Sequence, residues 1–490
     1  MKLGYDNFEK ILNIGIKMST EQNRNRLLAA ILESGMDITH CDASTLYLYN
    51  KETLTFKIMK TLSMGISRGE HGEPIDDIPP VPLREENICA YAAIHREIVN
   101  IPDVYHSGEF DFSGPKNYDA MTGYHTESML VVPVENHEGE LIGVLQLMNA
   151  QDEDGKVIAF DKAYHIIIRS LASLAAITLT NLQYMEEIKE QLHSFVQAMA
   201  TAIDERTPYN GSHTRKVAEY SGILAEYINQ KHALGKCEDY FDENRLEQLM
   251  LAALLHDIGK MIVPLSVMNR ATRLDKDIVH IEKRFTLLRA YYEIDYLKDK
   301  CSKEVFEKNL QELDETLKFI HEIDSVGFLN DENYEKVQRL AAKTYVKEDG
   351  TQIPYITEYE RNCLSIRKGT LTEDTRRIME SHVEMTAKIL DKVHFNKNYQ
   401  NVPKWASSHH EFLDGSGYPN HLTANELDLE TRILTIADIY DALTARDRPY
   451  KKPLPKDTAI NILQNMAKEG KLDIQLVEWL NEALEKGEKE

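Results

Sequence analysis

One long helical segment constrains how this chain can fold. Residues 161–204 contain neither proline nor glycine, so nothing in them ends an α-helix. The sequence before this segment changes character repeatedly, whereas the sequence after it is almost entirely helical in pattern. We therefore predict two domains joined by a helix at 165–204, with a separate N-terminal helix at 1–20.

The first domain, residues 21–164, has the pattern of an α+β fold with an antiparallel sheet. A helical start at 26–38 is followed by short runs in which apolar residues alternate with polar ones. The last two runs are separated by the segment NHEGE, whose polar residues and Gly139 suit a hairpin turn. Strands joined by so short a turn should pair with each other.

Apolar residues of the joining helix recur in alternating steps of three and four. The series is Leu171, Leu174, Thr178, Asn181, Met185, Ile188, Leu192, Phe195, Met199 and Ala202. This spacing predicts a seam with two polar interruptions, and the charged residues at 186–192 favour a parallel dimeric coiled coil. The alternative is a helix that lies against one of the two domains, which gives similar spacing over its first half.

The second domain, residues 205–490, has an all-α pattern. Its glycines and prolines collect in a few loops, where functional residues commonly lie. A segment at about 268–368 is richer in Lys, Glu, Asp and Tyr, and we interpret it as a helical insertion. The predicted fold class is therefore multidomain, an α+β domain followed by an all-α domain.

Charge and composition limit the partners and the compartment. The chain carries 57 Lys and Arg residues against 80 Asp and Glu residues, a formal charge of −23. Duplex nucleic acid and anionic membranes both require a surplus of basic residues, so we expect neither as a partner. We also predict no signal peptide and no membrane span. Five dispersed cysteines without a CxxC pair favour a reducing compartment, and we expect a cytoplasmic protein.

Histidines and aspartates of the second domain lie in or beside apolar helical runs. The set comprises His213, His256, Asp257, His382, His409, His410 and Asp438. For any one of these histidines alone, a satisfied core residue is the simpler interpretation. Together they favour shared metal ions, because buried polar groups are costly unless they are paired. Asp438 is the only charge in its apolar stretch, and a buried carboxylate there needs a cation.

The second domain resembles the HD-GYP subgroup of the HD metal-dependent phosphohydrolases. The matching motifs, in the order of the family, are GSHTRKV, AALLHDIGK, LTEDTRRIMESHVEMTAKIL, HHEFLDGSGYP, RILTIADIYDALT and RPYK. The resemblance implies that the seven residues named above bind a cluster of two or three metal ions, commonly iron or manganese. It also implies a cyclic dinucleotide substrate, chiefly cyclic di-GMP.

Two residues of the HDIGK motif have expected catalytic roles. We expect Asp257 to bridge two cations, which would neutralise a phosphodiester and lower the pKa of a shared water. Lys260 lies one helical turn beyond His256 and is expected to reach the phosphate oxygens on which charge develops. The alternative for Lys260 is a solvated lysine in a turn.

The resemblance also implies a set of substrate contacts. The loop for which the family is named comprises Gly415, Gly417, Tyr418 and Pro419. Glycines allow a backbone to approach a bulky ligand, and proline limits the freedom of the loop. Arg448 and Lys451 match family positions that contact the phosphate or guanine of the substrate, and ordinary surface charge is the alternative for both.

The insertion is one departure from the family pattern, because it separates His256 from His382. We expect it to leave the core intact and to emerge near the substrate site, where it could act as a lid.

The second departure concerns a third metal ion. Part of the family uses a carboxylate shortly before the first histidine, where this chain has Tyr209 and Asn210. Asp204 or Glu205 would have to substitute. We therefore predict two divalent ions rather than three.

The N-terminal half resembles a GAF domain over about 21–183, most clearly in TGYHTESMLVVPVENHEGELIGVLQLMNA. This segment is similar to the GAF modules of cyclic-nucleotide-regulated phosphodiesterases, but Ala150 replaces the lysine of their nucleotide-binding signature. The resemblance implies a small-molecule sensor or a dimerisation unit. Candidates for the pocket lining are His106, Tyr118, Thr126 and Cys89, with ordinary core or loop packing as the alternative.

The sequence thus predicts a cytoplasmic, homodimeric phosphodiesterase that hydrolyses cyclic di-GMP to linear pGpG or GMP under the control of a GAF domain. One alternative is an enzyme for another cyclic dinucleotide, such as cyclic GMP-AMP. Another is a non-catalytic receptor that senses a ligand or redox state through the same metal site.

Overall fold

The computed structural model describes residues 5–21, 23–69, 71, 73–206, 212–445 and 453–487. Contacts within the chain define two compact units, Met1–Gln191 and Leu192–Glu490. Four residues singled out from the sequence, Tyr209, Asn210, Arg448 and Lys451, lie outside the described residues.

The first unit combines helices with one antiparallel sheet. Its helices are α1 (Tyr5–Thr20), α2 (Arg24–Thr39), α3 (Ile88–His95), α4 (Ser113–Thr122) and the first part of α5 (Ala163–Asp204). Its strands are β1 (Cys41–Tyr49), β2 (Thr53–Thr61), β3 (Ile66–Arg68), β4 (Val81–Pro82), β5 (Val99–Ile101), β6 (Met129–Glu135), β7 (Leu141–Gln151) and β8 (Val157–Ile158). They pair in the order β3-β2-β1-β7-β6-β5, with β4 beside β2 and β8 beside β7. The predicted α+β domain with an antiparallel sheet is confirmed.

The predicted hairpin joins β6 to β7. The side-chain oxygen of Asn136 accepts hydrogen bonds from the backbone N–H groups of Glu138 and Glu140. Gly139 adopts a φ of 78°, a left-handed conformation that glycine takes without a steric penalty. The turn residues therefore set the register of the two central strands.

Alternate residues of the strands face two different cores. Leu130 and Val132 of β6 pack with α2 and α5 in one hydrophobic cluster. Met129 and Val131 of the same strand belong to a second cluster that includes residues of α3. Because side chains of a strand alternate between faces, the sheet is covered by α2 and α5 on one side and by α3 on the other.

The predicted seam of α5 is only partly exposed. Leu171 is buried in the cluster with α2, and Leu192 and Met199 pack against a cluster of the second unit that contains Val196 and Ile203. The structure thus assigns these three seam residues to cores of their own chain. The seam residues Leu174, Met185, Ile188 and Phe195 are 45, 66, 64 and 54% exposed. The first half of α5 does lie against its own domain, as the alternative interpretation proposed.

Helix α5 also has the length and composition of a membrane-spanning helix. Its most apolar window of 18 residues has a mean hydropathy of 1.4, and 39% of that window is buried inside the structure. Core helices pass the same test, so this finding is weak support for a membrane span.

The second unit is mainly helical. After α5 it comprises α6 (His213–Ala233), α7 (Glu243–Leu255), α8 (Leu265–Met268), α9 (Ile278–Leu297), α10 (Lys303–Asp324), α11 (Asp331–Ala341), α12 (Glu358–Leu364), α13 (Glu373–Leu390), α14 (Val402–Ala406), α15 (Leu429–Thr444), α16 (Lys456–Lys468) and α17 (Ile474–Gly487). Short 3₁₀ helices lie at Ile258–Met261 and Asp275–Asp277, and two strands, β9 (Thr344–Val346) and β10 (Gln352–Pro354), form a hairpin.

The segment at 268–368 has a hydrophobic core of its own. Leu274, Ile320 and Leu364 are buried in one cluster that draws its members from this segment. The buried guanidinium of Arg273 donates to the carbonyl oxygen of Ile323 at 2.7 Å, so its charge is compensated by backbone acceptors. The segment is mainly helical, and it also contains the hairpin of β9 and β10, which the sequence analysis did not predict.

Candidate metal centre

Residues from five parts of the second unit converge at one buried position. His213 begins α6, His256 follows the last residue of α7, and Asp257 precedes the 3₁₀ helix at Ile258–Met261. His382 lies on α13 and Asp438 on α15, while His409 and His410 follow α14. The seven residues form three overlapping groups in which the ligand atoms lie within 4.8 Å of one another. The structure therefore brings together all seven residues that the sequence singles out as metal ligands.

Asp257 lies at the middle of this set. Its Oδ2 atom is 3.5 Å from Nε2 of His213 and 3.2 Å from Nε2 of His256. Its Oδ1 atom is 3.4 Å from Nε2 of His382 and 3.8 Å from Nε2 of His409. The two oxygens of one carboxylate thus face two different pairs of imidazoles, which is the arrangement that a bridging ligand needs.

Three of the histidines share one orientation. The Nδ1 atoms of His256, His382 and His409 donate to the backbone carbonyl three residues earlier, over 2.6, 2.6 and 2.7 Å. The opposite ring nitrogen, Nε2, is buried in all three and has no hydrogen-bond partner among the described residues. A hydrogen bond from Nδ1 fixes the tautomer in which the Nε2 lone pair is free to bind a metal.

Asp438 and His410 complete the set on the side of α15. Oδ1 of Asp438 is 3.2 Å from Nε2 of His213, and its Oδ2 is 3.7 Å from Nδ1 of His410. His410 is the most exposed of the five imidazoles that surround Asp257 and Asp438, with 25% of its side chain accessible. It therefore lies where the site opens toward solvent.

Burial keeps most of the imidazoles neutral. It lowers the pKa of His382 from 6.5 to about 4, and it lowers the pKa of His409 and of His410 as well. A neutral imidazole is the form that binds a metal, so these three side chains are in the ligand-competent state at neutral pH.

The carboxylates behave differently because imidazole and ammonium groups surround them. Burial by itself raises the pKa of Asp257, but His256 and Lys260 outweigh burial and hold that pKa well below 3.8.

For His213, burial lowers the pKa, and hydrogen bonds to Asp257 and two further carboxylates outweigh it and raise the pKa well above 6.5. The site thus concentrates negative charge that a bound cation would compensate.

Lys260 points into the site. Its ammonium group donates a hydrogen bond to Oδ2 of Asp257, one turn earlier in the chain, and only 17% of the lysine side chain is exposed. The alternative of a solvated lysine does not describe this position.

Two segments that carry candidate ligand residues, one on either side of the insertion, are joined by direct hydrogen bonds. The Thr386 hydroxyl donates to the carbonyl oxygen of His256 at 2.9 Å and accepts a hydrogen bond from the N–H of Gly259 at 3.0 Å. A Cβ atom on Gly259 would lie 1.9 Å from the carbonyl oxygen of His382, so only glycine fits there. The sequence analysis missed Thr386, and its place one turn after His382 is the signal that could have found it.

The loop with Gly415, Gly417, Tyr418 and Pro419 lies directly beside His410. The ring of Tyr418 packs on the imidazole of His410 with centroids 4.9 Å apart. A Cβ atom on Gly417 would lie 2.4 Å from the backbone nitrogen of Phe412, so this glycine permits the loop to pack on its own chain. The predicted role of these glycines, the approach of a ligand, stays a prediction.

A glutamate that the sequence analysis did not single out holds this loop in place. Glu411 is buried, and its two oxygens accept hydrogen bonds from the N–H groups of Asn420 at 2.6 Å and Leu422 at 3.0 Å. Its position next to His409 and His410 in the motif HHE was the available signal.

Comparison with known families assigns both units. The family model described as GAF domain matches residues 23–179, and two models described as HD domain match residues 210–326 and 327–476. The chain carries a GAF domain followed by an HD domain. The two families predicted from the sequence are confirmed, and the border between the two HD matches falls inside the segment 268–368.

The relatives with a known activity match this chain over short segments. A 3′3′-cGAMP-specific phosphodiesterase 3 of Vibrio cholerae is 39% identical over 103 residues, which are 21% of this chain and 22% of the relative. A cyclic di-GMP phosphodiesterase response regulator of Xanthomonas campestris is 38% identical over 98 residues, 20% of this chain and 25% of the relative. A dual 3′,5′-cyclic-AMP and -GMP phosphodiesterase 11A of Takifugu rubripes is 26% identical over 156 residues, 31% of this chain and 15% of the relative. The chain therefore spans a quarter or less of the length of each of these relatives.

Among solved structures, the GAF domain of an Acinetobacter phosphoenolpyruvate-protein phosphotransferase is similar, with 15% identity over 38% of this chain and 99% of that chain. The TM-score is 0.29.

The GAF domain contains a cavity of about 380 Å³. Three of the four predicted lining residues, Cys89, Tyr118 and Thr126, line it. His106 does not line it, and instead lies on the surface, where its Nδ1 atom hydrogen-bonds to Asp103 at 2.7 Å. The rest of the lining is mainly apolar, aromatic and hydroxyl-bearing, and its described residues include no Lys, Arg or His.

Proposed function

We propose that this chain is a metal-dependent phosphodiesterase that hydrolyses cyclic di-GMP and is regulated by its GAF domain. The observation that carries the proposal is the set of three buried imidazoles, each with Nδ1 bonded to a carbonyl oxygen and Nε2 directed at one central carboxylate. Such a set has no stabilising role of its own, because it leaves several buried polar atoms without partners. It is suited to holding metal ions.

The residues fit two divalent cations of a type that accepts nitrogen and oxygen ligands, and iron or manganese meets this requirement. The ligand residues would be His213, His256, Asp257, His382, His409, His410 and Asp438. Cations held there would supply neutralisation of phosphate charge and activation of water.

The remaining groups of the site would bind and orient the substrate. The ammonium of Lys260 would move from Asp257 to a phosphate oxygen, where it stabilises developing negative charge. Tyr418 offers an aromatic edge next to His410, suited to contact with a nucleobase. The predicted contacts of Arg448 and Lys451 remain part of the proposal.

A second substrate is favoured by one observation, the 39% identity to a relative named as specific for 3′3′-cGAMP. The identity to the relative named as a cyclic di-GMP phosphodiesterase is 38%. We therefore retain cyclic GMP-AMP as the alternative substrate.

The experiment is a substrate panel run on the full chain after reconstitution with Fe²⁺ or Mn²⁺ without oxygen. The panel contains cyclic di-GMP, 3′3′-cGAMP, cyclic AMP and cyclic GMP, and products are separated by chromatography. We expect cyclic di-GMP to be linearised at the highest kcat/KM. A preference for 3′3′-cGAMP would support the alternative substrate, and full metal loading without turnover of any of the four would support a non-catalytic receptor.

The GAF domain is proposed as the sensor, with a small molecule in the cavity of about 380 Å³. The chain would act in the cytoplasm as a homodimer, and the exposed row of Leu174, Met185 and Ile188 on α5 supports this part of the proposal. Neither a membrane nor duplex nucleic acid is a partner in this scheme. We also propose domain limits of 21–164, 165–204 and 205–490, with an insertion at 268–368.

A further inference from the structure

The last residue of α5 is bonded to the first turn of α6, which carries His213. Oδ1 of Asp204 accepts a 2.6 Å hydrogen bond from the hydroxyl of Thr214 and a 3.4 Å hydrogen bond from its backbone N–H. Ser212, at the N-cap position of α6, makes no side-chain capping bond. Asp204 therefore caps α6 from another helix, next to the residue that offers Nε2 to the metal centre.

Arg206, two residues after Asp204, forms hydrogen bonds with the segment that carries Lys260. Its Nη1 atom donates to the carbonyl oxygen of Lys260 at 2.5 Å, and its Nη2 atom donates to the carbonyl oxygen of Val263 at 2.9 Å. Both carbonyls belong to the turn that follows Asp257. A planar guanidinium that bonds two carbonyls at once constrains the direction of that turn, and with it the path of Lys260.

The carboxylate of Asp204 lies in the interior, whereas Arg206 is partly exposed. Asp204 is 3% exposed, and its second oxygen, Oδ2, is buried without a partner among the described residues. Burial raises the pKa of Asp204, which shows that the carboxylate lies in a desolvated position. Desolvation of this carboxylate costs free energy, and its hydrogen bonds to Thr214 offset that cost.

We propose that Asp204 and Arg206 form a clasp at the end of α5 that positions His213 and Lys260. The inference rests on the proposed phosphodiesterase function and deepens it, because α5 also contributes residues to the core of the GAF domain. A displacement of the last turn of α5 would then alter both a metal-ligand segment and the lysine that acts on phosphate. Asp204 and Arg206 are positioning residues in this scheme and do not touch the substrate.

A competing role for Asp204 is that of a ligand for a third metal ion, since its Oδ2 atom has no partner. Three variants of the full chain separate the two roles. Thr214→Val removes the hydroxyl and leaves the carboxylate, Asp204→Ala removes the carboxylate, and Asp204→Asn removes the negative charge but keeps an oxygen that can accept from Thr214. Metal affinity is measured by competition with a chelator, so the readout does not depend on turnover.

The clasp predicts that Thr214→Val and Asp204→Ala both weaken metal binding by about 10-fold or more, as for other residues that orient ligands. Asp204→Asn should bind metal more tightly than Asp204→Ala. The clasp at Asp204 is overturned if Asp204→Asn loses metal as fully as Asp204→Ala while Thr214→Val keeps the affinity of the parent chain, because that pattern belongs to a direct ligand.

For Arg206, the expected effect is on turnover more than on metal. Arg206→Ala should lower kcat by about 10-fold or more, given that a small displacement of a catalytic group costs as much, and Arg206→Lys should restore part of that loss. The matched control is Arg215→Ala, because exposed Arg215 bonds the Thr201 hydroxyl at 2.9 Å at the same junction of α5 and α6 without reaching the site. Equal kcat values for Arg206→Ala and Arg215→Ala would overturn the clasp at Arg206.

The clasp and the proposed function fail in different ways. If the parent chain hydrolyses no cyclic nucleotide of the panel but the variants of Asp204 and Thr214 change metal affinity as expected, the clasp stands and the proposed function fails. If the parent chain is active and every clasp variant keeps both its metal affinity and its kcat, the clasp is wrong. Circular dichroism and thermal melting of each variant exclude loss of the fold as the cause.

Discussion

His213 donates a hydrogen bond from Nδ1 to Oδ2 of Asp441 over 2.6 Å, although the two residues lie 228 positions apart. Asp441 is 1% exposed and lies on α15, one turn after Asp438. The bond leaves Nε2 of His213 directed at Asp257 and Asp438. Asp441 therefore orients one of the seven candidate ligand residues without belonging to that set itself.

Asp441→Asn should weaken metal binding by about 10-fold to 100-fold, because the imidazole of His213 loses the carboxylate that orients it and raises its basicity. Metal affinity is measured by titration with a chelator at fixed pH. Glu384→Gln is the control, since Glu384 is an exposed carboxylate on α13, two residues beyond His382. If the two variants bind metal equally well, Asp441 has no role in orienting His213.

Asp257→Ala should abolish phosphodiester hydrolysis and lower the bound metal, because both oxygens of this carboxylate face imidazoles of the site. The measurement is metal content by elemental analysis together with turnover on the same sample. Retention of normal metal content and of normal rate would remove Asp257 from the centre.

Lys260→Ala should reduce kcat by on the order of 100-fold while the metal content stays unchanged, because an ammonium directed at phosphate is not a metal ligand. Metal content and kcat are again measured on one preparation. Lys388→Ala, at an exposed lysine of α13, serves as the control for removal of a positive charge. Loss of metal from Lys260→Ala would assign Lys260 to the integrity of the site instead of to turnover.

The proposed dimer is best tested at Ile188, which is 64% exposed. Leu192, a residue of the predicted seam, is a poor choice because it packs in a core of its own unit, and Leu192→Asp would destabilise the monomer. Ile188→Asp should dissociate the dimer by placing a charge in an apolar seam. Sedimentation velocity gives the mass, and Gln191→Asp adds the same charge at an exposed polar position as a control. A parent chain that sediments as a monomer would contradict the dimer.

Protonation of the metal-free centre should reduce stability at acidic pH. The folded-state pKa of His382 is lowered from 6.5 to about 4, so the unfolded state binds the proton first as the pH falls. This contribution is present above pH 6.5 and is lost between pH 6.5 and about 4, at about 1.4 kcal/mol per pH unit at most. Urea denaturation in the presence of a chelator measures it. His382→Gln should show a shallower loss over that window, and equal slopes for the two proteins would contradict the pKa shift.

Much of the cluster at the candidate metal centre was predictable because its His and Asp residues lie in short motifs. His256 and Asp257 are adjacent, and His409 and His410 are adjacent, so each pair is visible without any knowledge of the fold. The same holds for the hairpin between β6 and β7, where Gly139 and its polar neighbours define the turn locally.

Exposure of the α5 seam was not predictable from its spacing. A step of three and four residues describes one stripe of a helix, but it does not say which other element already covers that stripe. Leu171 and Leu192 obey the spacing and are covered, whereas Met185 and Ile188 obey it and are exposed.

Local periodicity in the sequence is enough to predict the α+β and helical domains, and motifs of adjacent residues are enough to predict the cluster of His and Asp side chains at the candidate metal centre. Three contacts became visible only in the folded chain: Asp441 orients His213, Thr386 links His256 to α13, and Asp204 caps α6. These residues act through partners on other helices, and a capping or buried polar residue has the same local pattern whatever its partner is. Contacts between distant segments depend on how the helices pack, and that packing is a property of the whole chain.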